Sequence, residues 1–239
     1  SIILSRFVLQ KSLHVISISK AVKQFLLDSY EVSKRTPNSV IYYGYTQRVQ
    51  EFSKKRTDLE LLNREIALGA IGRLAPQKNL GLLIDFADRM KKGGIQFNLK
   101  IAGEGPERQV LEKKVTDLGL RQEVRFLGKL PDVSEFLNSQ DFFVLTSNYE
   151  GLGLVLLEAM DARLPIVAPR NSAIPEVIGE DHPGLFISGD LDSLYNTFIY
   201  MLSNPSMQQE ALKIQAVKLN EFDMENYFQS HHALYDMKQ

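Results

Sequence analysis

From residue 66 to residue 169, short apolar segments alternate with longer segments of helical periodicity. The apolar segments, such as "IALGAIG", are rich in β-type residues, which is typical of strands buried on both sides of a sheet. The helical segments between them are long enough to cross over a sheet and return the chain in the same direction. The alternation therefore predicts an α/β fold, a doubly wound, Rossmann-like parallel sheet.

Strand and helix limits follow from the same pattern. The predicted strands comprise residues 66–72, 97–103, 123–128, 141–147 and 165–169. The predicted helices between them comprise residues 79–92, 107–120, 133–140 and 151–162. Outside this core, the pattern predicts an isolated strand at 13–19 followed by a helix, a charged and solvated helix at 46–65, and a run of helices without strands at 190–239.

Composition narrows the range of partners. The 239 residues carry a net charge of −1, which does not favour broad attraction to nucleic acid or to an anionic membrane. Because there is no cysteine, disulfides, Cys-ligated zinc and thiol nucleophiles are excluded. No apolar run approaches the ~18–20 residues of a membrane-spanning helix. We expect no nucleic-acid partner and a cytoplasmic location, and leave open a peripheral association of the full-length protein with the inner face of the membrane.

Three loops meet at one edge of the predicted sheet. Ligands of doubly wound sheets bind in the crevice beyond the carboxyl ends of the strands. The segments Gly103–Pro106, Gly128–Leu130 and Ser147–Gly153 all follow predicted strands, so they converge on that crevice. Their convergence predicts a binding site. The motif "AGEGP" does not identify the ligand by itself, because it matches neither a P-loop nor a GxGxxG turn.

The stretch "NYEGLGLVLLEAM" places two carboxylates beside this edge. Glu150 precedes the predicted helix 151–162, whose N-terminal N–H groups favour an anion such as phosphate. Glu158 lies two turns into that helix, ~10 Å further along. Two acceptors at this separation suit a ligand with hydroxyls at both ends and an anionic middle, such as a nucleotide sugar. The simpler alternative is that Glu158 pairs with a Lys or Arg on the helix face.

The segment "GRLAPQKN" adds two cations at the same edge. Arg73 offers a rigid fork for phosphate oxygens, and Lys78 offers a point charge. Together with the helix N-terminus they would bracket a diphosphate. Taken alone, each would more often be an ordinary surface cation.

In order along the chain, several motifs resemble the C-terminal domain of the family 4 retaining glycosyltransferases, which have the two-domain GT-B fold. These motifs are "GRLAPQKN", "IAGEGP", "VRFLGKLPD", "SNYEGLGLVLLEAM", "PIVAP", "IPEVI" and "GLFISGD". The resemblance runs from about Ser39 to Phe222, and it implies a donor-binding Rossmann-like domain over 39–222. Residues 1–38 would then be a remnant of the N-terminal acceptor domain with its linker. Residues 223–239 would form a C-terminal helix that packs back on that domain.

The resemblance implies roles for individual residues. Arg73, Lys78 and Glu150 would be the catalytic groups, with the two cations on the donor diphosphate and Glu150 on the transferred sugar. Glu158 would bind the ribose hydroxyls, and Leu130 would pack near the base. The remaining donor contacts implied are Gly72, Gly103, Gly151, Leu152, Gly153 and Leu154. The resemblance implies no cofactor and no metal, because the cations stabilise the departing phosphates.

The expected activity is that of a retaining hexosyltransferase. It would move a sugar from a UDP- or GDP-sugar to a glycan or lipid-linked acceptor, in the synthesis of a polysaccharide or glycoconjugate. Because the chain starts at Ser1 within an apolar segment, we expect it to be part of a longer polypeptide and inactive by itself. Two alternatives are a sugar-nucleotide epimerase or phosphorylase-like enzyme, and a non-catalytic module that binds nucleotide sugars.

Some residues depart from the family pattern. Tyr43 replaces the Asn of an Asn-Gly pair, and Ser172-Ala173 replaces a pair of glycines. Arg163 stands after the helix 151–162, where glycine fits a left-handed helix end, so it predicts strain or a different ending. The pair Asp190 and Asp192 imitates a metal motif, but Asp190 is better interpreted as a helix N-cap.

Overall fold

The computed structural model describes residues 9, 11–29, 32–47 and 64–236. In these ranges the strands are β1 (Val15–Ser17), β2 (Asn38–Val40), β3 (Ile66–Ile71), β4 (Phe97–Ala102), β5 (Val124–Gly128), β6 (Phe142–Val144), β7 (Ile166–Pro169) and β8 (Leu185–Phe186). The helices are α1 (Lys20–Asp28), α2 (Leu80–Lys92), α3 (Arg108–Asp117), α4 (Ser134–Asn138), α5 (Leu154–Asp161), α6 (Ile174–Ile178), α7 (Leu191–Ser203), α8 (Pro205–Leu219) and α9 (Met224–Asp236). Single 3₁₀ turns occupy Pro76–Lys78 and Asn220–Phe222.

The main sheet is parallel throughout, and its strands follow the order β5-β4-β3-β6-β7-β8. The first strand of this sheet, β3, lies in the middle, and β4 and β5 follow it on one side. The chain then returns, and β6 pairs with the other side of β3. This is the doubly wound order, and its switch point lies between β3 and β6. The predicted α/β fold is confirmed. The predicted strand at 141–147 is shorter than expected, at Phe142–Val144, and β8 was not predicted as a strand.

Neighbouring residues of β6 show why the strand is apolar on both faces. Phe142 packs in one buried cluster with Phe86 and Phe198, whose ring centroids lie 5.2 Å apart. Phe143 points the other way and packs in a second cluster with Leu157. Successive side chains of a strand face opposite sides of the sheet, so helices cover both faces.

The N-terminal segment has a pairing that the sequence did not predict. β1 is not an isolated strand: it pairs in parallel with β2, with Val15 opposite Asn38 and Ser17 opposite Val40. The helix α1 connects the two strands and begins at Ser19, whose hydroxyl accepts the N–H of Val22. The β1–β2 pair includes residues on both sides of the domain boundary predicted at 38/39. That boundary stays a prediction. Most of the charged helix predicted at 46–65 lies outside the described residues.

Helix ends confirm two sequence-based interpretations. Asp190 caps α7, with its carboxylate accepting the N–H of Ser193 at 2.9 Å. Arg163 follows α5 with a left-handed φ of 52°, and the N–H groups of Arg163 and Leu164 bond back to the carbonyls of Met160 and Ala159. This is the bonding of a Schellman motif, in which an arginine bears the strain that a glycine avoids.

The C-terminal elements are helical from α7 onward over the described residues, as predicted. α9 lies against residue 44: a Cβ built on Gly44 would be 2.5 Å from Sδ of Met224. Glycine is therefore needed here for a close approach between segments. The packing of residues 223–239 on a further domain stays a prediction. Among the described residues, no helix has the length and apolar character needed to cross a membrane.

Candidate functional site

The two loops at the switch point are bonded to each other. One loop follows β3 and the other follows β6, and these strands are neighbours in the sheet. The N–H of Asn148 donates to the carbonyl of Gln77 at 2.8 Å, and the side-chain amide of Gln77 donates to the carbonyl of Tyr149 at 2.9 Å. The Thr146 hydroxyl donates to the carbonyl of Lys78 at 3.0 Å. The loop that carries the predicted cations is thus fixed beside the loop that carries Glu150.

At the centre of this edge, Lys78 and Glu150 form an ion pair. Nζ of Lys78 lies 2.5 Å from Oε1 of Glu150, and the Ser147 hydroxyl donates to the same oxygen at 2.6 Å. The pair is largely removed from water, since Glu150 is 7% exposed and the Lys78 side chain 16%. The Ser172 hydroxyl accepts the backbone N–H of Glu150 at 2.8 Å. Two of the three predicted catalytic residues are therefore in direct contact.

Ser172 illustrates how a departure from the family pattern is accommodated. Its φ is 44°, in the left-handed region that favours glycine. The hydroxyl that replaces glycine there accepts the N–H of Glu150 and donates to Oδ1 of Asn171. Those bonds help to offset the strain and hold the Glu150 backbone in place.

Arg73 contrasts with Lys78. Its side chain is exposed, and its guanidinium makes no hydrogen bond or ion pair with any residue that the structure describes. An exposed arginine at the same edge of the sheet, with no partner among the described residues, is available to an anionic ligand. The structure therefore brings the two cations to one edge but gives them different partners.

Glycines allow the loop after β3 and the loop after β4 to pack closely. A Cβ built on Gly103 would lie 1.9 Å from the carbonyl oxygen of Gly72, and the φ of Gly103 is 134°. Position 103 must therefore be glycine. A Cβ on Gly72 would lie 3.2 Å from Cε of Lys78, so the lysine stem passes directly over it. These two predicted donor contacts shape the floor under Lys78.

The helix after Glu150 begins later than predicted. α5 starts at Leu154, and Gly153 precedes it with a left-handed φ of 82°, so residues 151–153 remain an open loop. Glu158 lies one turn into α5 rather than two, and it is half-buried. Leu152 is buried and offers the site only its backbone, whereas the Leu154 side chain is half exposed. Leu130 is partly buried against the apolar cluster on this side of the sheet.

A carboxylate that the sequence analysis did not single out ties the N-terminal segment to this edge. Oε1 of Glu176 accepts the N–H of Lys20 at 2.7 Å and the hydroxyl of Tyr42 at 2.6 Å, while Oε2 accepts the N–H of Ala21 at 3.2 Å. The Glu176 carboxylate therefore caps α1 from another element. The sequence signal is the first turn of α1, which has no acidic residue of its own. Burial, reinforced by the bond to Glu176, raises the pKa of Tyr42 well above its usual range.

This tie brings the start of α1 close to the loop 151–153. A Cβ built on Gly151 would lie 3.3 Å from Cδ1 of Ile18 and 3.8 Å from Cγ2 of Val22. The space above the loop 151–153 is thus bounded by the segment that leads into α1. No cluster of three or more His, Asp or Glu side chains suited to a metal occurs in the part of the chain that the structure describes.

The chain is similar to known glycosyltransferases over much of its length. The sequence profile of the family described as "Glycosyl transferases group 1" matches residues 51–218. Alpha-monoglucosyldiacylglycerol synthase of Streptococcus pneumoniae is 26% identical over 229 residues, which cover 92% of this chain and 51% of that protein. Sulfoquinovosyl transferase SQD2 of Arabidopsis thaliana is 38% identical over 128 residues, which cover 51% of this chain and 24% of that protein. The chain spans about half or less of the length of these relatives.

Solved structures show the same fold. Anabaena Alr3699/HepE, crystallised in complex with UDP and glucose, matches with a TM-score of 0.82 at 24% identity, over 99% of this chain and 68% of that one. Sucrose-phosphate synthase from Thermosynechococcus elongatus also matches with a TM-score of 0.82, at 22% identity, over 99% of this chain and 61% of that one. These neighbours are GT-B proteins. Since the family profile covers well over half of its residues, the chain belongs to the glycosyl transferases group 1 family and has the Rossmann-like fold of the C-terminal half of a GT-B enzyme.

Proposed function

We propose that this chain is the donor-binding part of a retaining hexosyltransferase that uses a UDP- or GDP-sugar. The observation that carries the proposal is the arrangement at the switch point. Arg73, with no partner among the described residues, the buried Lys78–Glu150 pair and the half-buried Glu158 all lie on or beside the loops that follow β3 and β6. Two cations and two carboxylates along one edge of the sheet would suit a diphosphate that links two sugars.

Each group would have a separate task on the donor. Arg73, Lys78 and the free N–H groups at the start of α5 would stabilise the charge that develops on the departing nucleoside diphosphate. Glu150 and the backbone of residues 151–153 would hold the transferred sugar. Glu158 would accept hydrogen bonds from the ribose hydroxyls, and Leu130 would pack near the base. With the charge stabilised by these groups, we propose that neither a metal nor a cofactor is required.

Retention of configuration would follow from using one face of the sugar. The departing phosphate oxygen would take the proton of the acceptor hydroxyl as that hydroxyl attacks the anomeric carbon from the same side. The bond from the anomeric carbon to the phosphate oxygen breaks as the new glycosidic bond forms. The chain's own residues would align the donor and stabilise the leaving group.

The names of two relatives support the proposed class of acceptor. One relative is named as a synthase of a glucosylated diacylglycerol and the other as a sulfoquinovosyl transferase. We propose a glycan or lipid-linked acceptor, and a cytoplasmic location with peripheral contact to the inner face of the membrane. The acceptor would sit on an N-terminal domain of which residues 1–38 are the remnant, so the chain by itself would bind donor without transferring sugar.

The test has two arms. In the first, thermal unfolding of this chain is measured with UDP, GDP, ADP and their sugars, because a bound ligand raises stability by mass action. We expect UDP or GDP, with the matching sugar, to raise the midpoint and ADP to raise it less. A chain stabilised by none of these ligands would contradict donor binding.

In the second arm, the full-length protein is incubated with the donor, with and without acceptor. A transferase converts donor to a glycosylated product only when acceptor is present. Conversion of the donor sugar to its epimer without acceptor would identify an epimerase instead, and binding without any conversion would identify a non-catalytic module.

A further inference from the structure

Lys78 is the one group of the proposed site whose charge serves two anions. In the structure its ammonium is 2.5 Å from Glu150, yet the proposed function also places it on the donor diphosphate. An ammonium can donate to both anions at once, since it has three N–H groups. It still carries a single positive charge, so a diphosphate and the Glu150 carboxylate would compete for that charge.

We propose that Glu150 opposes the binding of a nucleoside diphosphate that carries no sugar, and so lets the site distinguish the donor from the product of its own reaction. The inference rests on the proposed function and extends it from where the donor binds to what makes the product leave. Glu150 acts through its charge on Lys78, and through the hydrogen bond that a sugar hydroxyl brings to it.

Burial makes the competition effective. Glu150 is 7% exposed, and a carboxylate held away from water loses much of its hydration, so it depends on its partners. The Ser147 hydroxyl is fully buried and stays with Oε1 when Lys78 turns towards a diphosphate. One neutral hydroxyl does not replace an ammonium 2.5 Å away. A diphosphate that engages Lys78 therefore leaves Glu150 under-stabilised.

The sugar of the donor would offset that cost. Both contacts recorded for the Glu150 carboxylate, from Lys78 and Ser147, go to Oε1. No described residue donates to Oε2, so Oε2 is the atom left for a sugar hydroxyl. A Cβ built on Gly153 would lie 3.6 Å from Cγ of Glu150, so glycine at this position keeps a side chain away from the carboxylate. The phosphates of an intact donor draw Lys78 away from Glu150, but its sugar hydroxyl donates a hydrogen bond to Glu150 in return. A bare nucleoside diphosphate draws Lys78 away without donating such a bond.

After transfer, the hydroxyls leave with the product sugar, and the nucleoside diphosphate remains on Lys78 opposite an under-stabilised Glu150. Renewed attraction between Glu150 and Lys78 then weakens the hold on the diphosphate. Arg73 does not take part in this exchange, because its guanidinium has no carboxylate partner among the described residues. The two cations of the site thus divide the work: Arg73 binds phosphates constantly, and Lys78 binds them conditionally.

The test substitutes Glu150→Gln, which keeps the shape and an acceptor for Ser147 but removes the charge. Affinities for UDP, GDP, pyrophosphate and the matching nucleotide sugar are measured by calorimetry. We expect the variant to bind the bare diphosphates about ten-fold more tightly than the wild type, while its affinity for the nucleotide sugar stays level or falls. The preference for donor over product should shrink by at least that factor. Circular dichroism verifies that the variant is folded.

Asp85→Asn serves as the matched control. Asp85 on α2 pairs with Lys114 at 2.6 Å, so the variant removes a lysine–carboxylate pair of nearly equal length away from the site. It should leave all four affinities unchanged. A wild type that binds diphosphates, with a Glu150→Gln variant that binds them no more tightly, would overturn the inference and leave the proposed function standing. Absence of nucleotide binding in both wild type and variant would overturn the proposed function itself, and the inference with it.

Discussion

Two buried polar clusters in this molecule differ in charge and in completeness. At the carboxyl edge of the sheet, Lys78 and Glu150 form an ion pair, and one oxygen of Glu150 has no donor among the described residues. Near α8, Nδ1 of His182 accepts the N–H of Gly184 at 3.1 Å, and Nε2 donates to Oε1 of Gln215 at 3.0 Å. The Gln215 amide in turn donates to the carbonyl of Leu164 at 2.9 Å.

This difference distinguishes a cluster suited to binding a ligand from one that stabilises the fold. The His182 cluster is neutral and closed, since each ring nitrogen and both amide atoms have a partner. Burial lowers the pKa of His182 to about 4, against a smaller upward effect of the bond to Gln215, so the ring is uncharged at neutral pH. The Lys78 cluster is charged and incomplete, and it lies at the same edge of the sheet as an arginine that has no partner among the described residues. A complete neutral cluster stabilises the fold, whereas an incomplete charged one is suited to a ligand.

The largest effect should come from Arg73→Met in the full-length enzyme. Because Arg73 would stabilise the transition state without supporting the fold, kcat/KM should fall by roughly 10²–10³-fold. The free energy of unfolding should change by no more than about 0.5 kcal/mol. Steady-state kinetics and urea denaturation measure the two quantities. Arg125→Met is the control, since Arg125 on β5 is also exposed, and a similar loss of activity there would contradict the assignment.

His182→Leu should have the opposite profile. It leaves the N–H of Gly184 and Oε1 of Gln215 without their partners, and each such buried group costs about 1–3 kcal/mol. We expect urea denaturation to show a free energy of unfolding lower by about 2–5 kcal/mol, with nucleotide affinity of the folded protein unchanged. His232→Leu, at an exposed position, should change stability by less than about 0.5 kcal/mol. Weakened nucleotide binding in folded His182→Leu would remove the distinction between the two clusters.

The same histidine predicts a pH dependence. Its pKa is about 4 in the folded protein and 6.5 in the unfolded chain, so between these values the unfolded chain binds more protons. The stabilisation is therefore complete above pH 6.5 and is lost as the pH falls towards 4, by about 3 kcal/mol in total. Denaturation curves between pH 7 and 4 should show this loss in the wild type, and a shallower slope in His182→Leu. Equal slopes would contradict it.

A smaller effect is expected at Glu158. If its carboxylate binds the ribose, Glu158→Ala should weaken the binding of UDP or GDP by about ten-fold, equivalent to ~1.4 kcal/mol of binding free energy. Pyrophosphate, which has no ribose, should bind as tightly as before. Calorimetry with both ligands makes the comparison within one variant. Equal weakening for pyrophosphate would mean that Glu158 acts on the phosphates or on the fold instead.

The sequence predicted the sheet well because its strands are buried on both faces. Continuous apolar runs such as the one that contains Phe142 and Phe143 leave little choice but a covered parallel sheet. The same pattern does not tell where hydrogen bonding stops, so β6 came out shorter than predicted. The start of α5 was predicted too early because Gly153 takes a left-handed φ. Glycine adopts positive and negative φ about equally readily, so the sequence alone does not reveal which it takes.

Contacts between side chains could not be predicted from the sequence. Motifs singled out Arg73, Lys78 and Glu150 as candidates, but the bond between Lys78 and Glu150 joins positions 72 residues apart. Glu176 lies 156 residues from Lys20, and only the folded chain brings it to the start of α1. Likewise, β2 has just three residues, too few for a periodic signal, so the pairing with β1 was not foreseen.

The central claim is that this edge of the sheet binds a nucleoside diphosphate through protein cations. Calorimetric titration of the chain with UDP and with GDP, in buffer containing a chelator, tests it most directly. The account predicts that one of the two binds without added metal, and that Arg73→Met weakens this binding while Arg125→Met does not. Binding that appears only when Mg²⁺ or Mn²⁺ is supplied, or that is unaffected by loss of Arg73, would contradict the account.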